Sequence, residues 1–234
     1  MIRLIILLVF LIVYFIVSLP IQLLELILER FNMNARNKSS LAFVNFGLRI
    51  VQLISGVKLE VHGYENIPKD QAVLFVGNHT SFYDIIVTYP LMKRPTGYIA
   101  KKEIKKVPFL SWWMYFVNCI FLDRKDPRAG LKSVLNAADM IRNGISIEVT
   151  RSKDCKLGEF KEGSFKIATK AKCPVVPVGI QGTYNIFEKQ QPRIKSSKVI
   201  VTFGKPIYTD QLDRAGQKQL PSIVKEQVRI LSNQ

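Results

Sequence analysis

His79 and Asp84 stand five positions apart in Asn78-His79-Thr80-Ser81-Phe82-Tyr83-Asp84, directly after the apolar run Val73-Leu74-Phe75-Val76. A carboxylate near a histidine holds one ring nitrogen and leaves the other free as a general base. The chain has only two histidines, His62 and His79, so the choice of base is narrow. His62 falls in or beside an early strand and reads as structural. The same stretch also suits a bland reading: a capping Asn, a surface His and an Asp in a first helical turn.

The elements that position the pair are legible from periodicity. The run 73–76 reads as a buried strand, and Gly77-Asn78 reads as the turn that ends it. From Lys58 onward, strands are expected near 58–63, 72–77, 97–100, 118–122, 145–149, 175–180 and 198–203. Helices are expected near 82–92, 109–116, 128–142, 163–171 and 221–232. Interleaved strands and helices indicate an α/β domain with a mixed, largely parallel sheet flanked by helices. The expected division is N-terminal membrane-associated helices over 1–54 and a catalytic domain over 55–234.

Three more blocks follow the His-to-Asp box in order. The first runs from Ala100-Lys101-Lys102-Glu103-Ile104 to Ile120-Phe121-Leu122-Asp123-Arg124. The next is Ile147-Glu148-Val149-Thr150-Arg151-Ser152, continuing to Phe160-Lys161-Glu162-Gly163. The last is Cys173-Pro174-Val175-Val176-Pro177-Val178-Gly179-Ile180. Over about residues 58 to 205 this series resembles the glycerolipid acyltransferase family, which includes the 1-acyl-glycerol-3-phosphate acyltransferases. The resemblance implies acyl transfer from acyl carrier protein or coenzyme A to the free hydroxyl of a lysophospholipid. His79 would remove the hydroxyl proton, and Asp84 would hold the imidazole. Arg124, Glu148, Thr150 and Arg151 would form the acceptor site, since arginine donates paired hydrogen bonds to phosphate. No cofactor is implied beyond the acyl donor. Other acceptors, such as glycerol 3-phosphate or another lysolipid, and a non-catalytic lipid-binding relative remain alternatives.

One block departs from the family. Its usual Phe-Pro-Glu-Gly-Thr-Arg-Ser is here Ser146-Ile147-Glu148-Val149-Thr150-Arg151-Ser152. Glycine permits positive φ or close approach of a ligand, and β-branched valine permits neither easily. The loop is therefore more strand-like here, or the acceptor differs.

The 234 residues suffice for one sizeable core, and 34 Lys and Arg against 18 Asp and Glu give a net charge of +16. So basic a chain implies an anionic partner. No nucleic-acid motif is visible. The N-terminus points to an anionic membrane surface instead. Residues 4–24 carry no charge, long enough for a helix that just crosses a bilayer. Pro20 is expected to kink or break it. A spanning anchor and a pair of helices lying in the interface both fit. Asn32 to Ser40 reads as a turn, and 41–54 as a second helix. Arg30, Arg36, Lys38 and Arg49 after the apolar segment favour a cytoplasmic catalytic domain. Lys101, Lys102, Lys105 and Lys106 suit an acidic carrier protein, the phosphates of coenzyme A or lipid headgroups. Trp112, Trp113, Tyr115 and Phe116 read equally as core or as a membrane-dipping surface. Cys119, Cys155 and Cys173 show no metal-ligand spacing and suit free core thiols in a reducing compartment.

Overall fold

The structure, a computed structural model, describes residues 1–123, 126–150, 152–153, 156–157, 160 and 162–233. The chain opens with helices α1 (Ile2–Phe31) and α2 (Met33–Ser55). Then follow β1 (Val57–His62), β2 (Leu74–Gly77), α3 (Phe82–Thr88), β3 (Thr96–Lys101), α4 (Leu110–Phe116) and β4 (Ile120–Leu122). After these come α5 (Pro127–Arg142), β5 (Ser146–Thr150), the short pair β6 (Ser152–Lys153) and β7 (Lys156–Leu157), and α6 (Glu162–Ala171). The chain closes with β8 (Pro174–Gln181), β9 (Ser197–Phe203), β10 (Ile207–Tyr208) and α7 (Arg214–Leu231).

The main sheet has eight strands in the order β1-β9-β8-β2-β5-β3-β4, with β10 against β8. All pairings are parallel except β8 with β9 and with β10. The expected α/β architecture with a mixed, largely parallel sheet is therefore present, with all seven expected strands. Side chains alternate across the sheet, as strand geometry requires. Leu74, Val76, Ile147 and Val149 pack toward α5, α6 and α7. Val73, Phe75, Val176 and Val178 pack with Tyr83 and Val87 of α3, Leu7 of α1 and Val51 of α2. Burial pushes the Cys119 and Cys173 thiols up to about 12, as expected of inert core sulfurs. Cys155 lies outside the described residues.

Three local expectations need correction. Residues 32–40 are not a turn: the break is Asn32 alone, whose Oδ1 accepts from Ala35 N–H at 3.0 Å and caps α2. Pro20 does not end α1, which runs through it. The last helix begins at Arg214, seven residues before the expected start, where Asp213 accepts from Gly216 N–H at 2.7 Å.

The helix pair has its polarity inverted. Inward-facing Ser18, Gln22 and Glu25 of α1 are buried, while most of its aliphatic side chains are exposed. Opposite them, α2 buries Arg36, Asn37 and Ser40. Arg36 pairs with Glu29 at 3.7 Å and donates to the carbonyl of Phe116, so it is not a free flanking charge. Both ends of α1 touch the rest of the chain. Near its start Arg3 donates to Ser55 O at 3.3 Å; near its end Glu29 accepts from Tyr115 Oη at 2.6 Å. The helix therefore lies along the domain. The aromatic cluster of α4 is core only in part. Trp113 is 4% exposed and stacks on Phe43, whereas Trp112 is 54% exposed and meets Phe109 edge to face.

Candidate active site

Parallel strands place catalytic groups at their carboxyl ends, and His79 lies two residues beyond the end of β2. Asn78, fully buried, fixes that exit. Its Nδ2 donates to Ile180 O at 2.9 Å, and its Oδ1 accepts from Ile180 N–H at 2.8 Å. This two-way bond ties the β2 exit to β8, which the reading of Asn78 as a turn residue did not reveal.

Asp84 sits in the first turn of α3 and is 1% exposed. Its Oδ2 accepts from Thr80 N–H at 2.6 Å and from Ser81 N–H at 2.7 Å, and lies 3.0 Å from His79 Nδ1. Ser81 Oγ accepts from Tyr83 N–H at 3.0 Å and completes a capping box. The bland and chemical readings of the motif therefore coincide: Asp84 caps its helix and grips the histidine with the same oxygen. With Nδ1–H donated to Asp84, the other ring nitrogen is left as a base. Burial alone would lower the His79 pKa. The hydrogen bond and charge of Asp84, with the charges of Glu148 and Glu188, outweigh it and hold the group above its ordinary value. Thr88 Oγ1 donates to the backbone carbonyl of Asp84 at 2.8 Å and lies 3.1 Å from Tyr98 Oη.

Glu148 is 7% exposed and lies in β5 opposite Phe75 of β2. It lines one cavity with His79, Asp84, Tyr98, Met92 and Ile180. Its neighbour Val149 is buried on the opposite face and pairs with Val76. The strand therefore continues through the position where the family's block has glycine, which is the strand-like course expected of valine. Thr150 ends β5. Arg124 and Arg151 lie outside the described residues. Lys101 ends β3 and is exposed, as are Lys105 and Lys106. Lys102 is exposed too and pairs with Asp123 at 2.9 Å. His62 is exposed at the end of β1 and pairs with Glu60 at 2.7 Å, apart from the site.

A histidine–carboxylate pair at a strand exit can take a proton from a hydroxyl brought to the free ring nitrogen. The acyltransferase family model matches residues 58–181, which includes this whole arrangement. The chain belongs to the acyltransferase family. It is 36% identical to the chloroplastic 1-acyl-sn-glycerol-3-phosphate acyltransferase of Brassica napus over 67% of its own length and 47% of that protein. With the 1-acyl-sn-glycerol-3-phosphate acyltransferase of Borreliella burgdorferi it shares 28% identity over 77% of this chain and 74% of the relative. The chain spans about half the length of the plant and algal relatives it matches. Among solved structures it resembles the 1-acyl-sn-glycerophosphate acyltransferase PlsC of Thermotoga maritima. That match has a TM-score of 0.72 and 28% identity, and covers 94% of this chain and 93% of the other.

One residue beside the acyltransferase box was absent from the sequence reading. Glu188 follows β8 in a short turn, and its Oε1 accepts from Phe82 N–H at 2.8 Å. No periodicity or spacing links positions 82 and 188. Only the run of apolar residues in β8 hints that the segment after it arrives at the strands' carboxyl edge.

Proposed function

We propose that this acyltransferase moves an acyl group from a thioester of acyl carrier protein or coenzyme A to the free sn-2 hydroxyl of 1-acyl-glycerol-3-phosphate, giving phosphatidic acid. The observation that carries this reading is the 3.0 Å contact of His79 Nδ1 with Asp84 just beyond the carboxyl end of β2. His79 takes the hydroxyl proton as the acceptor oxygen attacks the thioester carbonyl. Asp84 stabilises the imidazolium. The C–S bond breaks as the C–O bond is completed, and the proton passes to the departing thiolate. The substrate oxygen is itself the nucleophile, so no covalent acyl-enzyme is needed. Names of relatives support the acceptor, since several are 1-acyl-sn-glycerol-3-phosphate acyltransferases. The test is an assay of vesicle-bound protein with labelled lysophosphatidate and each acyl donor in turn. Absence of phosphatidic acid with both donors overturns the reading. The continuous strand through Val149 motivates a second reading, another acceptor such as glycerol 3-phosphate or a different lysolipid. Running these acceptors beside lysophosphatidate decides between them.

The acceptor phosphate is assigned to Arg124 and Arg151, with Glu148 and Thr150 beside it. β4 and β5, the strands that precede the two arginines, run parallel to β2, β3 and β8 and so end toward the same sheet edge as β2. A charge-assisted hydrogen bond contributes roughly 1.5–3 kcal/mol. Arg151→Ala and Arg124→Ala are each expected to lower kcat/KM for acceptor by about ten- to a hundredfold, leaving donor use near normal. Separate titrations of acceptor and donor check this, and a defect confined to the donor moves the arginines out of the phosphate site.

The enzyme is assigned to the membrane surface, with its catalytic domain in the cytoplasm. The outward face of α1 is apolar and both its ends rest on the domain, so α1 suits the interface better than a crossing. A helix that does not cross leaves the domain on the side where it was made. The exposed Lys101, Lys105 and Lys106 suit anionic headgroups or an acidic donor carrier. Val9, Val13 and Ile16 are more than half exposed on α1. Replacing all three with Asp preserves the inner polar contacts and is expected to release most of the protein from anionic vesicles, because each charge costs up to about 2.5–3.5 kcal/mol in hydrocarbon. Flotation measures this. Undiminished flotation of the triple variant sinks the assignment.

A further inference from the structure

The three backbone amides that follow His79 are each held by a carboxylate. Asp84 Oδ2 takes Thr80 N–H and Ser81 N–H, and Glu188 Oε1 takes Phe82 N–H at 2.8 Å. The first two bonds are local. The third crosses 106 positions of sequence and ties the turn after β8 to the catalytic box. The other oxygen of Glu188 is buried and has no hydrogen-bond partner among the described residues. A buried carboxylate oxygen left in this state is costly. A backbone tie alone needs no charge, since an amide side chain would supply the same acceptor. What the negative charge does have nearby is the imidazole of His79.

We propose that Glu188 is a positioning residue for acyl transfer: it fixes the backbone of the His79–Asp84 box through Phe82 and supplies a remote negative charge that favours the protonated form of His79. The charged groups facing His79 come from three elements. Asp84 lies on α3, Glu148 on β5, and Glu188 on the turn after β8. The other titratable group lining the cavity is Tyr98 from β3, whose phenol burial holds well above its ordinary pKa; Thr88 of α3 and apolar side chains, among them Val178 and Ile180 of β8, line the rest. Asp84 makes the direct contact with the ring. Glu188, bonded to the backbone three positions after His79, strengthens the same proton affinity. It thereby makes His79 a stronger base and keeps the α3 amide in place as the imidazole charges and discharges.

The inference rests on His79 acting as the base, so the test separates the two. Glu188→Gln keeps an oxygen for Phe82 N–H and removes the charge. The full chain, in lipid nanodiscs and labelled at its histidines, is titrated by NMR. His79 and His62 are its only two histidines, and exposed His62, paired with Glu60, serves as an internal control. The expected result is a fall in the His79 midpoint, read against the His62 signal in the same spectra. The acid limb of the kcat/KM profile should move down by the same amount. Glu188→Ala, which also loses the backbone tie, should lower kcat further without raising KM for acceptor. If Glu188→Ala does not fold, the Gln variant still decides. An unmoved His79 midpoint in Glu188→Gln overturns the proposal. Activity retained by His79→Ala, assayed alongside, instead overturns the base assignment on which it rests.

Discussion

His79→Ala is expected to lose acyl transfer by about 10²–10⁴-fold, the usual contribution of a general base, while the protein stays folded and bound to vesicles. The His79 side chain is about a quarter exposed, so losing its ring removes its pairing with Asp84 but leaves the fold in place. The pH dependence carries the same signature. The base works when neutral, and its environment holds its pKa above the ordinary value. Wild-type kcat/KM should therefore rise with pH through a midpoint above about 6.5, and the residual activity of His79→Ala should lack that limb. Stability should run the other way. The raised pKa means that protonated His79 stabilises the fold fully below about pH 6.5, a contribution lost as pH rises through its folded value. Denaturation of wild type and His79→Ala across that window checks the sign. Near-normal turnover by folded His79→Ala removes His79 from the mechanism.

The second large effect is expected from Asp84→Asn, at about 10²–10³-fold in turnover. One Asp84 oxygen receives Thr80 N–H, Ser81 N–H and His79 Nδ1–H. Asparagine retains one carbonyl oxygen but brings an amide that can only donate, and it lacks the charge that stabilises the imidazolium. If the carbonyl serves the backbone amides, the histidine loses its hold; if it turns to the histidine, the turn loses its cap. The variant should therefore also melt earlier, by a few kcal/mol in stability at about 1.5–3 kcal/mol for each charge-assisted bond weakened. Its acid limb should fall to lower pH, because the strongest raising influence on His79 is gone. Measuring turnover, melting and pH profile together separates the two roles. A loss of less than twofold in turnover means that the two residues do not act as a pair.

The strands were legible in the chain because a central strand buried on both faces must be apolar throughout. The runs 73–76 and 175–180 declare themselves in that way. The His-to-Asp box was legible because its partners are near neighbours: a turn, a cap and one helical turn bring positions 79 and 84 within 3.0 Å by local geometry alone. The start of α2 was misread for a physical reason. Its Arg36, Asn37 and Ser40 look solvent-seeking, yet all three are buried, Arg36 against Glu29 and the Phe116 carbonyl and Asn37 against Asn118. Composition records polarity but not which side of a helix is inside. The aromatic cluster divided for a similar reason. Trp112 and Trp113 are adjacent in sequence but stand about 100° apart around α4, so only packing decides which is core.

Residue type and local spacing thus determined the His79–Asp84 pair, the basic composition and the apolar N-terminal helix. Long-range contacts decided the rest. Pairing of β2 with both β5 and β8 brought Glu148 and the turn after β8 to the same edge as His79. Asn78 gained its two bonds to Ile180, and Phe82 its bond to Glu188, across more than a hundred positions. No periodicity encodes such a contact. Hydrophobic pattern specifies which face of an element is buried, whereas the partner across that face is chosen only when the sheet order closes and every buried polar group must find its match.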